Sequence, residues 1–159
     1  MKKDLVYKIN CENIRREDLI DYALRCLTVG QKSYFYGCLY HYDNINDRLC
    51  LDKISLSNKT RVVVVPKFFD TISTNCFSFL DIVELDARYV KYLESNAINF
   101  CHSLKSVDLS SCKYFETESI NYCNSLVIVK FSNEVDTISE SFICSCYNFQ
   151  QQENSQACL

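Results

Sequence analysis

Eleven cysteines and two histidines are the residues of this 159-residue chain best suited to covalent or metal chemistry. A cysteine nucleophile needs an imidazole within hydrogen-bond reach of its sulfur. The sequence places Cys101 beside His102; the other histidine is His41. Adjacent residues point in different directions, so this neighbourhood makes no dyad by itself. Cys101 also holds a position that recurs as Cys123 and Cys146, which a unique nucleophile has no reason to do. Zinc wants four converging ligands, usually through C-x-x-C pairs. The close pair here, Cys144 and Cys146, has C-x-C spacing and no partner pair nearby. The acidic word DNIND, Asp43 to Asp47, lacks the glycine and terminal Glu of a calcium loop and has the composition of a turn. With Gly30 and Gly37 alone, no glycine-rich phosphate cradle can form. Glu116 and Glu118 read as solvated loop carboxylates. The expectation is a non-enzymatic chain with no catalytic, cofactor or metal residues. A cysteine- or zinc-dependent enzyme, its zinc assembled across repeats, is the less favoured alternative.

Composition supports that expectation. Apolar residues make up 48% and charged residues 23%, so the chain can bury a core. A net charge of −3, with no basic block beyond Lys2-Lys3, argues against nucleic acid or an anionic membrane as partner. The longest wholly apolar run, Val62 to Val65, is far too short to span a bilayer. The N-terminus MKKDLVYKIN has a charged start, but Asp4, Lys8 and Asn10 interrupt the apolar middle that a signal peptide needs. The reading is a cytoplasmic chain whose thiols stay reduced and act as small apolar side chains.

Two words repeat along the chain. The first is Leu, two residues, Val, one residue, large apolar: Leu80-Val83-Leu85, Leu104-Val107-Leu109 and Leu126-Val129-Phe131. Val63-Val65, ending in Pro66, reads as a degenerate first copy, and Cys146 to Phe149 as a partial last one. The second word is Leu93, Ala97-Ile98, Cys101, then Phe115, Ser119-Ile120, Cys123, then Ile138, Phe142-Ile143, Cys146. Val-x-Leu predicts a short strand, whose alternate residues point to opposite faces. Ala97, Cys101 and Leu104 stand near helical spacing, which predicts a turn or two of helix. One strand and one short helix per coil, about four coils in all, make a small α/β leucine-rich-repeat solenoid.

The stretches LESNAINFCHSLKSVDL, FETESINYCNSLVIVKF and ISESFICSCYNF resemble the BspA-type leucine-rich repeats, whose unit runs I-G-x-x-A-F-x-x-C-x-x-L-x-x-V-x-I-P. The chain departs from that pattern where Glu94, Glu116 and Ser139 replace the Gly, where Ile98, Ile120 and Ile143 replace the Phe, and where Pro survives only as Pro66. The resemblance implies a solenoid over residues 61–150 whose strand-lined face binds another macromolecule, without catalytic residues.

Residues 1–60 are read as an N-terminal cap and 151–159 as a polar tail. Within the cap, Leu19, Ile20, Ala23, Leu24 and Leu27 mark an amphipathic helix that Asn13 can cap, with Glu17 and Asp18 in its first turn. SYFYGCLYHY, Ser33 to Tyr42, holds five aromatics in ten residues. It is read as strands plugging an open core end rather than as a contact surface. On the solenoid, Val107 and Leu109 facing inward would leave two outward rows. One is Val62, Ile82, Ser106 and Ile128; the other is Val64, Glu84, Asp108 and Lys130, with Asp86 at a strand end. This apolar row beside a charged row is the expected site for a protein partner. The alternative within the binding class is a small phage or pathogen inhibitor that blocks a host enzyme. The polar Gln150 to Gln156 run marks a solenoid end suited to homodimer formation.

Overall fold

The computed structural model describes residues 5–7, 13–28, 30, 33–35, 37–135, 137–138 and 141–149. The 151–159 tail, and the dimer-forming end inferred from Gln150 to Gln156, lie outside them. Within them the chain folds as a small β-solenoid of four coils with parallel strands and one helix. Each coil carries three short strands. The first holds β5 (Thr60–Val64), β6 (Thr71–Ile72) and β7 (Phe77–Ser78). The second holds β8 (Glu84–Asp86), β9 (Tyr92–Leu93) and β10 (Ile98–Asn99). The third holds β11 (Ser106–Leu109), β12 (Tyr114–Phe115) and β13 (Ile120–Asn121). The last holds β14 (Ile128–Phe131), β15 (Thr137–Ile138) and β16 (Ile143–Cys144).

The N-terminal part adds β1 (Leu5–Tyr7), α1 (Arg16–Thr28), β2 (Ser33–Phe35), β3 (Cys38–Asp43) and β4 (Arg48–Ile54). Three sheets result. A five-stranded sheet runs β1-β5-β8-β11-β14, and a four-stranded sheet runs β16-β13-β10-β7. A seven-stranded sheet runs β15-β12-β9-β6-β4-β3-β2. Coil strands pair in parallel; β2, β3 and β4 pair antiparallel, and β4 joins β6 in parallel.

The expected short helices are strands instead: α1 is the one helix among the described residues. Spacing alone misleads here because a four-residue β-turn also advances three positions. The Leu104 amide donates to the Cys101 carbonyl at 3.1 Å, closing such a turn. The amides of Ile98 and Phe100 donate to Ser119 and Asn121 of the next coil, at 3.0 Å each, where a helix would turn them on itself. Left-handed Asn96 (φ 54°) and Phe100 (φ 52°) flank β10, a backbone that no helix continues.

The pairing also corrects the alignment of the copies. Leu85 stands beside Val63 and Val107, and Val107 beside Val129, so the coils repeat at 22 residues in this sheet. The second copy is therefore Ile82-Leu85-Ala87, with exposures of 1%, 2% and 0%, and not Leu80-Val83-Leu85. Leu80 instead fills the place that Cys101 holds one coil later. Ile72, Cys76-Phe77 and Leu80 form a fourth copy of the second word, so the aromatic of the pattern survives at Phe77.

The core is one continuous column of inward rungs: Val63, Leu85, Val107 and Val129 on one side, Ile72, Leu93 and Phe115 on another. Each such side chain contributes about 1.5–3 kcal/mol on burial. Helix α1 seats Leu19, Ala23 and Cys26 on the cap, whereas Leu24, expected to be buried, is 39% exposed. Asn13 is not its cap. The Asp18 carboxylate accepts the Arg15 amide at 3.1 Å, folding the first turn back on itself. Tyr40, 1% exposed, donates to the Leu19 carbonyl at 2.9 Å and meets Phe69 edge-on, so this part of the aromatic segment fills the core end. Asp43 accepts the amides of Ile45 and Asn46, making DNIND a turn. No described helix is long and apolar enough to cross a membrane.

Ile82→Ala should cost about 2–5 kcal/mol in urea unfolding, and Ile82→Asp more. Ile128→Asp, on an exposed residue of the same sheet, should cost about 1 kcal/mol or less. Equal losses for Ile82→Asp and Ile128→Asp would contradict the assigned register.

Candidate functional site

The outer face of the five-stranded sheet carries two rows like those expected, with one member of each replaced by the register. Val62, Glu84, Ser106 and Ile128 stand side by side, and Val64, Asp86, Asp108 and Lys130 form the next row. Ile82 leaves the surface for the core, Glu84 moves to the first row, and Asp86 moves from a strand end into the second. The face is thus apolar at both ends, Val62 and Ile128, and acidic between them.

In-register stacking sets acids beside acids, and cations answer them. Arg88 grips Asp86 with Nε and Nη2 at 2.9 and 2.7 Å. Lys130 stands 3.7 Å from Asp108. Partial burial pushes the Asp108 carboxyl up, but the Ser110 hydroxyl and amide and the Lys130 charge hold it below the usual carboxylate range. Below this face, Arg61 and Ser103 both bond Asp81 and tie three coils together.

One turn before the face lies a feature that the sequence reading missed. Phe79, Phe100 and Tyr122 stack ring on ring at the coil corner, with centroids 4.8 and 4.7 Å apart and planes within 9°. Each sits in the left-handed region, at φ 58°, 52° and 51°. Bulky residues adopt that backbone at a cost of about 1–2 kcal/mol each. Phe79 is 73% exposed. The signal is one aromatic in each of the first three coils, immediately before Leu80, Cys101 and Cys123, but Phe79 is hidden by the misplaced second copy.

The candidate chemistry resolves into two different settings. Cys101 and Cys123 are fully buried and Cys146 half-buried, one above another across the coils. Cys101 donates to the Phe77 carbonyl at 3.3 Å. Its hydrogen bond with Cys123 holds Cys101 low and pushes Cys123 up to about 12; Cys123 in turn pushes Cys146 up. His102 is exposed and meets the Phe100 ring edge, so it makes no dyad with Cys101. Among the described residues no three His, Cys, Asp or Glu side chains converge as metal ligands would. Glu116 is not merely solvated: it accepts the Ser95 amide at 2.9 Å, as Glu94 accepts that of Thr74 at 2.8 Å. The carboxylates at the pattern's Gly position therefore staple one coil to the next.

His41 is the second setting. Its Nδ1 lies 2.8 and 2.9 Å from the two carboxylate oxygens of Asp52 on the neighbouring strand. That bond, with the Cys50 side chain acting on the same ring, raises His41 to about 10.

No family model matches the chain, and no curated protein matches it. Among solved structures, a leucine rich cell surface protein from Faecalibacterium prausnitzii A2-165 is similar, with 13% identity and a TM-score of 0.29. The match covers 68% of this chain and 43% of that one, so the present chain spans less than half of its neighbour. The solenoid assignment rests on the chain's own strand pairing.

Because His41 is raised above its ordinary 6.5, its pair with Asp52 stabilises the fold fully below that pH. The contribution should fade as pH climbs from 6.5 to about 10. The stability gap between wild type and His41→Gln, from urea unfolding, should therefore narrow over that window. A gap that widens would contradict the pair.

Proposed function

We propose that the chain is a non-enzymatic interaction module that holds a protein partner on its strand-lined face and the adjoining aromatic corner. The resemblance of its repeats to the BspA-type units supports this reading. The observation that carries it is the stack of Phe79, Phe100 and Tyr122: aromatics, the outer two exposed and Phe100 half-buried between them, kept in a costly backbone at the same corner of successive coils. Strain of this kind concentrates where surfaces are used. Aromatic side chains offer large contact area with little rotamer entropy to lose, and they are enriched in protein interfaces.

The sheet face continues the surface one turn further. Val62, Val64 and Ile128 supply apolar contact, and Glu84, Asp86, Ser106, Asp108 and Lys130 supply a polar border. Asp86 and Asp108 are engaged by Arg88 and Lys130, which leaves Glu84 as the acid with no ion pair there among the described residues. A partner with an apolar patch beside a single basic group fits this pattern.

The test uses three baits in extracts of the source cell: wild type, Phe79→Asp and Ile128→Asp. The wild-type bait should retain a stoichiometric protein that both variants lose, with circular dichroism unchanged in all three. Equal recovery on the three baits, or an empty wild-type bait, would overturn the reading.

A further inference from the structure

The outer face of the seven-stranded sheet carries one row unlike the rest of the molecule. His41 pairs with Cys50, Cys50 with Thr71, Thr71 with Tyr92 and Tyr92 with Tyr114, across β3, β4, β6, β9 and β12. Asp52 follows Cys50 by two residues and so shares its face. Its carboxylate fixes the His41 ring at 2.8–2.9 Å, and Cys50 stands directly opposite His41 in the pairing, its thiol donating to the Arg48 carbonyl at 3.8 Å. Arg48, two residues before Cys50, lays its guanidinium 3.4 Å over the Tyr92 ring.

Two hydroxyls beside this row are unspent. Thr71, 1% exposed, directly neighbours Cys50 in the pairing, and its Oγ1 has no hydrogen-bond partner; nor has Oγ of Ser73 two residues on. Leaving such a group buried and unpaired is destabilising. Thr71 also lines a groove of about 320 Å³ with Arg48, Tyr92, Glu94, Tyr114 and Glu116. A thiol flanked on one side by an oriented imidazole and on the other by an unpaired hydroxyl is equipped to gain an oxygen atom.

We propose that Cys50 is a peroxide-reactive thiol, with His41 as its proton-transfer partner, Asp52 as the positioning residue and the Thr71 hydroxyl as the partner of the oxidised sulfur. The sulfur attacks one oxygen of hydrogen peroxide; an S–O bond forms and the O–O bond breaks. Sulfur is oxidised to a sulfenic acid and the peroxide is reduced. The reacting form is the thiolate, its proton given up to water; the departing hydroxide takes a proton from the His41 imidazolium and leaves as water, and the proton held by water returns to the ring. The new oxygen meets Thr71 Oγ1, which then has the partner it lacked. At 3% exposure Cys50 is closed to a peptide-sized substrate, which confines the proposal to an oxidant of two oxygen atoms. In the coil ladder His102 meets the Phe100 ring edge and Cys101 donates to the Phe77 carbonyl, so the reaction belongs to this row. This site goes beyond the interaction reading and does not depend on it.

The full chain, treated with limiting hydrogen peroxide and trapped with dimedone, is read by peptide mass spectrometry. Cys50 should form its adduct faster than the more exposed Cys144. His41→Gln should slow Cys50 by about a hundredfold, the low end for positioned proton transfer. Asp52→Asn should slow it as well, and Asp52→Glu should restore it. Cys50 reacting no faster than Cys144, or equally fast in wild type and His41→Gln, overturns the proposal. Should His41→Gln fail to fold, Asp52→Asn and Asp52→Glu decide the matter, and equal rates in those two overturn it.

Discussion

The molecule depends on closing each coil in 21 to 23 residues so that the strand amides meet carbonyls one coil away. Its strands are two to five residues long in the coils, too short to persist as isolated pairs. They hold because the coils stack in register: Val83 N–H finds Arg61, Lys105 finds Val83, and Val127 finds Lys105, at 2.6 to 2.9 Å. Buried backbone groups must be paired, and here the partner is nearly always the same position of the neighbouring coil. That demand repeats the turns, the left-handed corners and the inward rungs. The repetition in the sequence is the trace of hydrogen bonding, not of any reaction.

Parallel register has a second consequence, because it stacks like upon like. Apolar rungs gain from this, and so do aromatic planes such as Tyr92 on Tyr114, 4.6 Å apart. Asparagines pass amide hydrogen bonds along the column, from Asn99 to Asn75 and from Asn121 to Asn96. Acids gain nothing from stacking, so each acidic pair is answered. Arg88 and Lys130 meet Asp86 and Asp108, while backbone amides meet Glu94 and Glu116. The surface chemistry of the coils is therefore largely internal accounting among neighbours, and what remains unanswered on it is short enough to name.

Much of this was legible in the residues. The alternation in Ser106 to Leu109 and the recurrence of Cys101, Cys123 and Cys146 sufficed for a solenoid of four coils, and for inward and outward faces in the last two. Two things were not legible, for physical reasons. A β-turn and a helical turn both return an apolar side chain to the same side after three or four positions, so Ala97, Cys101 and Leu104 could not distinguish them. Leu80 is chemically fit for either word. Read as the head of a strand, it displaces Ile82, Glu84 and Phe79 together; in the fold it fills the corner that Cys101 takes one coil later. The aromatic stack and the corrected face were lost by the same two-residue slip.

Pairing between the cap and the coils lay further from reach, since it joins residues that share no repeat. Strand β4 is antiparallel to β3 and parallel to β6, so it carries the regular row of the coils onto a hairpin free of their constraints. Within the coils, a cysteine sees thiols, carbonyls and apolar rungs, much the same surroundings from one coil to the next. At Cys50 the neighbour on one side is still a coil residue, Thr71, but on the other it is His41, held by Asp52. Eleven cysteines look alike in a composition. The register separates them, because a stacked lattice can only repeat an environment, and an environment fit for chemistry has to arise where the lattice meets something that does not repeat.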